Sequence, residues 1–268
     1  MYVPGLSIDA IIFNIIMAFV LPALAWHIMR KRKCCTQPKR LPFFLGCAIF
    51  FLFAILLEGL FNNLVLQTSW GKTVKNDTFK LALFAGLSAA LFEETGRFCA
   101  FKALRKSAHT DDSTALLYGA GHGGFEAFFV LFSTMVMNFF FALYINANNT
   151  EVFTQNLDGE KLAQMEKIFE ELKTTPWYIY LFAVWERVFA IAVHISNSVL
   201  VWFASKKIRN IYLFAAAIVI HASLDFFVAY SQGIGMNEIR IELLLSVFAI
   251  CIACISFFVW KKFYRKEA

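Results

Sequence analysis

Seven long apolar stretches follow one another along the chain, separated by short polar segments. Their approximate bounds are 7–28, 42–67, 81–103, 114–146, 177–203, 211–230 and 241–260. An α-helix needs about 20 consecutive, mostly apolar residues to cross the hydrocarbon core of a bilayer, because each residue advances the helix by about 1.5 Å. The pattern therefore predicts an all-α fold, a polytopic transmembrane helix bundle of about seven spans, with residues 1–268 forming a single integral-membrane domain.

Charged residues are scarce and unevenly distributed among the loops. They make up 16% of the chain, against about 25% in an average soluble domain. The segments after the first, third, fifth and seventh stretches hold 16 lysines and arginines, whereas those after the second, fourth and sixth hold 7. Because cytoplasmic loops are rich in these residues, the amino terminus is predicted outside and the carboxyl terminus inside. This bias explains the net charge of +6, so no nucleic-acid partner is expected.

The longest polar loop, about 147–176, falls on the predicted outer side. Leu162, Met165, Phe169 and Leu172 recur at helical spacing within it, among glutamates. This pattern predicts an amphipathic helix at the membrane interface. A lid or substrate-docking element and a plain connector both remain open.

The third to sixth stretches contain polar residues that hydropathy alone would forbid in a membrane. They are Glu93, Glu94, Arg97, His122, Glu126, Glu186, Arg187, His194, His221 and Asp225. Seven of these ten carry formal charge. Exposing them to lipid at ~2.5–3.5 kcal/mol each would cost roughly 20 kcal/mol, more than the ~5–15 kcal/mol net stability of a typical protein. They are therefore expected to face one another or a water-filled cavity.

Spacing and depth both favour a single shared site. Residues three or four apart share a helix face, as do Glu94 and Arg97, or His221 and Asp225. Counted from the predicted cytoplasmic ends of four successive spans, the glutamate pair and the three histidines lie about eight to ten residues deep, which is ~12–15 Å. We expect them to form one layer.

Two further features surround this layer. Around His122, positions 119, 121, 123 and 124 are glycines, so this part of the helix carries few side chains. They permit close helix packing, and next to His122 and Glu126 we interpret them as room for a substrate backbone. Glu58, in the second stretch, is interpreted as a helix–helix hydrogen-bonding group or an outer-interface residue. Glu186 is expected to pair with Arg187.

The side chains of this layer suit hydrolytic chemistry. Two or three histidines with a carboxylate are the usual ligands of a catalytic zinc that keeps one position open for water. Zinc lowers the pKa of that water toward ~7, and a nearby glutamate can accept its proton during attack on a carbonyl. Arg97 can hold a carboxylate ionised or support negative charge. His221 and Asp225 can serve as ligand and orienting partner, or as oxyanion donors.

Four short motifs occur in order on successive spans, within about 80–230. They are Glu93-Glu94-Thr-Gly-Arg97, His122-Gly-Gly-Phe-Glu126, Glu186-Arg187 with His194, and His221-Ala-Ser-Leu-Asp225. This series resembles the YhfC family, which is grouped with the CAAX-processing and bacteriocin-processing (CPBP) intramembrane proteases and the PrsW proteases.

The resemblance implies roles for these residues. Glu93 corresponds to the general base, with Glu94 and Arg97 supporting it, and Asp225 matches the Asn or Asp that follows the last histidine. The implied metal ligands, for a zinc cofactor, are His122, Glu126, His194 and His221. Two departures stand out: Arg97 comes one position earlier than in the commonest CAAX-protease pattern, and His122 occupies a position that is often aromatic.

The leading hypothesis is an intramembrane metalloprotease of a bacterial plasma membrane. It would hydrolyse a peptide or membrane-protein substrate near the cytoplasmic half of the bilayer. A proton-coupled transporter is the main alternative, because buried Glu, Asp, Arg and His also form ion relays. An inactive scaffold or immunity-like membrane protein is the third.

Overall fold

The computed structural model describes residues 2–31, 40–107 and 111–264. Within these residues the chain is helical and contains no strand. The α-helices are α1 Gly5–Arg30, α2 Arg40–Phe50, α3 Gly59–Leu66, α4 Ser69–Lys75, α5 Thr78–Lys106, α6 Ser113–Asn146, α7 Glu151–Thr154, α8 Gly159–Thr174, α9 Trp177–Lys206, α10 Tyr212–Gly233 and α11 Glu238–Phe263. The basic positions in 32–39 and 265–266, which contribute to the predicted orientation, lie outside the described residues.

Among the residues that the structure describes, six helical segments are long and apolar enough to cross a membrane. The third predicted span, 81–103, is not among these six; it corresponds to α5, which has 29 residues and carries Glu93, Glu94 and Arg97. Asp77 caps its first turn by accepting a 3.0 Å hydrogen bond from the backbone N–H of Lys80. That hydrogen bond holds the pKa of the Asp77 carboxyl below its usual value. The polytopic helical bundle is confirmed, and the orientation of its termini stays a prediction.

Successive long helices run in alternating directions, and the closest packing also joins helices that are distant in sequence. Helix α6 packs along α1, α2 and α9, while α10 packs along α5 and α11 along α9. The bundle therefore has two ends. We call the end where α5, α9 and α11 begin the Thr78 end, and the opposite end, where α5 and α9 stop, the Lys106 end.

The glycines of α6 lie where other helices cross it most closely. A Cβ at Gly121 would lie 1.9 Å from the carbonyl oxygen of Phe43 on α2, and one at Gly119 would lie 2.6 Å from Cα of Ile195 on α9. Small residues allow such backbone approach between membrane helices. No glycine of α6 lines the cavity described below. The expectation that they make room for substrate is therefore wrong, and packing explains them.

The second span is one continuous helix, Arg40–Leu66, with a π-helical segment at Phe51–Glu58. π-Helical turns are rare and occur frequently at functional sites. The last residue of this segment, Glu58, accepts a 3.1 Å hydrogen bond from Asn62, which in turn accepts one of 2.7 Å from Ser88 on α5. The interhelical hydrogen bonding expected around Glu58 is thus present through Asn62.

The predicted amphipathic helix of the long loop is α8. Its Phe169 and Leu172 are buried, and the Phe169 ring lies 5.5 Å from that of Phe141 on α6. These contacts fix α8 to the side of the bundle at the Thr78 end. None of its residues lines the cavity described below, which favours the connector interpretation over the lid.

Candidate active site

Four helices bring their polar residues together in one buried layer. Helix α5 supplies Glu93 and Glu94, α6 supplies His122, α9 supplies His194 and α10 supplies His221. Each of these five residues is at most 6% exposed. The ring centroids of His122 and His194 are 4.9 Å apart, and those of His194 and His221 are 5.3 Å apart. The single layer inferred from span depth is present.

Three possible metal-ligand atoms converge within this layer. Oε2 of Glu93 lies 3.9 Å from Nδ1 of His194 and 3.9 Å from Nε2 of His221. Glu93, His194 and His221 each offer one ligand atom, and these atoms all lie within 4.8 Å of one another. Two histidines and one glutamate form a known set of protein ligands for catalytic zinc. The donor set and its spacing therefore fit a metal ion after small side-chain rotations.

The other nitrogen of each converging histidine contacts a carboxylate. Nδ1 of His221 lies 2.8 Å from Oε1 of Glu94, and Nε2 of His194 contacts Oε2 of Glu126. Metal-ligating histidines nearly always donate their second N–H to such a partner, which fixes the tautomer and the ring orientation. Glu93 is also supported, because its Oε2 lies 2.8 Å from Nε2 of His122.

Arg97 provides the positive charge of the layer. Its Nη1 lies 3.1 Å from Oε1 of Glu94, and its Nη2 lies 2.9 Å from Nδ1 of His194. Both Arg97 and Glu94 are fully buried. A metal ion at Nδ1 of His194 would need the lone pair that this guanidinium contacts, so Nη2 must move aside when the ion binds.

A second charged group adjoins the layer toward the Thr78 end. Arg187 donates a 2.7 Å hydrogen bond to Oε1 of Glu126 and also pairs with Glu186, as expected. Oδ2 of Asp225 lies 3.4 Å from Nε2 of His221, and its side chain is 40% exposed. Asp225 is thus the most accessible acid beside the donor atoms.

A cavity of about 330 Å³ opens from the layer. Its polar lining consists of Glu58, Glu93, Glu126, Glu186, Arg187, His194, His221, Asp225 and Gln232. Sequence reasoning missed Glu58 as a site residue. The available signal was a carboxylate within an apolar span, which is costly unless it faces a polar cavity.

The structure groups the eight expected site residues differently from their expected roles. His194 and His221 lie among the converging donors, and Glu93, expected as the general base, joins them. His122 and Glu126 were expected as ligands. In the structure His122 contacts Glu93, and Glu126 contacts His194. Glu94, Arg97 and Asp225 all lie next to these donors.

The chain is similar to one known protein family and to a member of it. A family model described as YhfC intramembrane metalloprotease matches residues 16–245. The uncharacterized membrane protein YhfC of Bacillus subtilis (strain 168) is 32% identical over 250 residues, which cover 91% of this chain and 93% of that protein. No solved structure matches.

Proposed function

This chain belongs to the YhfC intramembrane metalloprotease family, and we propose that it is a zinc-dependent endopeptidase that hydrolyses peptide bonds inside the membrane. The observation that carries the proposal is the convergence of Glu93, His194 and His221, whose ligand atoms lie within 4.8 Å of one another at the base of a cavity. A buried set of this kind is expensive to keep in a membrane, which favours a functional role.

Three residues would hold the ion, and three others would hold those residues in place. The proposed ligand atoms are Oε2 of Glu93, Nδ1 of His194 and Nε2 of His221. Glu126 contacts the remaining ring nitrogen of His194, Glu94 contacts that of His221, and His122 holds Glu93. When bound, zinc would lower the pKa of a water molecule to about 7 and polarise a carbonyl oxygen.

Asp225 is the proposed proton acceptor. It lies beside His221, faces the cavity, and is the most exposed carboxylate next to the donor atoms. Its Oδ2 accepts the proton that the attacking water loses, and it then returns that proton to the departing amine nitrogen. This assignment releases Glu93 from the role of base and makes it a ligand.

The test combines metal content with cleavage. Purified protein is analysed for bound zinc and is incubated with detergent-solubilised membrane proteins and a peptide library, and products are identified by mass spectrometry. We expect wild type to bind zinc and cleave, Asp225→Asn to bind zinc without cleaving, and His221→Ala and Glu93→Gln to lose both properties.

The matched control is Glu242→Gln. Glu242 is a half-buried carboxylate on α11 that does not line the cavity, so its substitution should leave zinc content and cleavage at the wild-type level. The proposal is overturned if wild type binds no metal, or if wild type, Glu93→Gln and His221→Ala cleave equally.

A further inference from the structure

The cavity lies entirely on one side of the buried layer. On α5 it is lined by Ala85, Ala89 and Glu93, and on α9 by residues from Glu186 to His194. Both helices begin at the Thr78 end, so every lining residue on them lies at or before the layer. The cavity therefore extends from the layer toward the Thr78 end.

Helix α10 runs the other way and leads to the same conclusion. Its lining residues begin at His221 and continue to Gln232, the residue before its last. Eleven residues of helix span about 16 Å, and Gln232 is exposed. The mouth of the cavity is consequently at the Thr78 end, and its base is the layer of glutamates and histidines.

The opposite side of the layer is filled by aromatic rings. Phe101, Tyr118 and Trp202, which we call the aromatic layer, are each 0% exposed. The centroid of the Phe101 ring lies 4.7 Å from that of Tyr118 and 5.2 Å from that of Trp202. Among the described residues, none of the cavity-lining side chains lies between this aromatic layer and the Lys106 end.

Polar contacts anchor the aromatic layer at the Lys106 end. The indole N–H of Trp202 donates a 2.7 Å hydrogen bond to Asp112, a buried residue that also pairs with Lys206. An aromatic residue whose polar atom is satisfied in this way packs stably in a buried position. The helices are thus tied together where the cavity does not reach.

From these observations we infer that water and substrate enter from the Thr78 end alone. The substrate is then a polypeptide segment presented on the membrane side opposite Phe263, where α11 ends, because α11 runs from the Thr78 end to the Lys106 end. With the orientation predicted from lysines and arginines, that side is the outer one. The layer at the base of the cavity keeps its predicted depth in the cytoplasmic half, so the inference concerns the side from which substrate enters and not the depth of cleavage. The identity of the entering molecule as a substrate rests on the proposed function, whereas the route does not.

Cysteine accessibility tests the route without any catalysis. The six native cysteines are replaced by alanine, and single cysteines are introduced as Ala89→Cys and Ala229→Cys, both of which line the cavity. A membrane-impermeant maleimide is added to intact cells or to inside-out vesicles. Asn148→Cys marks the Thr78 end and Lys207→Cys the Lys106 end, since both positions are exposed. Ala115→Cys, 0% exposed beside the aromatic layer, is the matched alanine control.

We expect both cavity cysteines to react from the side that labels Asn148→Cys, and Ala115→Cys to react from neither. Reaction of the cavity cysteines from the Lys207→Cys side, from both sides, or from neither side overturns the inference. Two cavity positions are used so that misfolding of one variant, detected by size-exclusion chromatography, still leaves a result. If the labelling is as expected but no peptide is cleaved, the proposed function fails while the route stands.

Discussion

Arg97 and His194 contact each other across two helices, with Nη2 of the arginine 2.9 Å from Nδ1 of the histidine. A guanidinium can only donate hydrogen bonds, so Nδ1 is the acceptor and Nε2 carries the proton that faces Glu126. The same tautomer is the one that a metal ligand at Nδ1 requires. Arg97 therefore prepares His194 for metal binding and at the same time occupies its lone pair.

Removing the charge of Arg97 should destabilise the protein severely. Arg97→Ala leaves the fully buried Glu94 without its cation, and breaking a buried ion pair costs about 3–5 kcal/mol. The free energy of unfolding in detergent measures this loss. Lys167→Ala, which breaks an exposed pair with Glu171, should change stability little. Similar losses of stability for the two variants would contradict the interpretation of Arg97 and Glu94 as a buried ion pair that stabilises the fold.

Glu126 and Glu186 both contact Arg187 but should differ in their effect on zinc. Glu126 also contacts Nε2 of His194, whereas no such contact joins Glu186 to a histidine among the described residues. Loss of a carboxylate that orients a metal ligand typically lowers the metal affinity by roughly 10–100-fold. We expect that loss for Glu126→Gln and a far smaller one for Glu186→Gln, measured by zinc titration against a competing chelator. Equal losses of zinc affinity in the two variants would indicate that both act through Arg187 and not through His194.

Two glycines of α6 should respond differently to alanine. A Cβ at Gly121 would meet the Phe43 carbonyl oxygen at 1.9 Å, which only backbone movement can relieve, while one at Gly124 would meet Pro22 at 3.1 Å. Overpacking costs about 1–3 kcal/mol or more. Gly121→Ala should lower the melting temperature and the zinc affinity together, because His122 follows it directly. Gly124→Ala should have the smaller effect, and the reverse order would contradict the packing described for α2 and α6.

Shortening one side chain of the aromatic layer should open the second side of the cavity. In the Ala89→Cys background, Trp202→Ala removes a fully buried indole, which costs about 3–5 kcal/mol. We expect maleimide labelling from both membrane sides. Trp260→Ala, which alters a half-buried tryptophan of α11 outside the layer, should keep labelling one-sided. One-sided labelling in both variants would mean that Trp202 does not close the route.

Hydropathy predicted much of the fold, because each of the seven predicted spans corresponds to a long helix in the structure. The pairing of α5, α6, α9 and α10 at one depth was also predictable, since Glu93, His122, His194 and His221 are too costly to expose to lipid. The π-helical segment ending at Glu58 was not predicted. Periodicity arguments assume 3.6 residues per turn, so a local change of helix type moves a side chain to a face that the pattern does not indicate.

The division of roles within the site could not be predicted from spacing alone. His122 and Glu126 share a helix face with the correct periodicity, yet their polar atoms reach Glu93 and His194 instead of joining the converging donors. Which nitrogen of a histidine faces which carboxylate depends on the rotation of both helices and both side chains. The glycines of α6 were misread for a related reason: sequence cannot distinguish a helix neighbour from a substrate as the occupant of the space.

The aromatic layer has an electrical consequence. A wet hollow that passed through the whole bundle would let ions leak down the membrane potential, where each unit charge is worth about 2.3 kcal/mol per 100 mV. Because the cavity ends at the layer of glutamates and histidines and the aromatic layer fills the bundle beyond it, the voltage falls across that side of the bundle and the bilayer stays insulating. A hydrolase can function while the aromatic layer stays closed, whereas an alternating-access carrier would have to open this layer in every transport cycle.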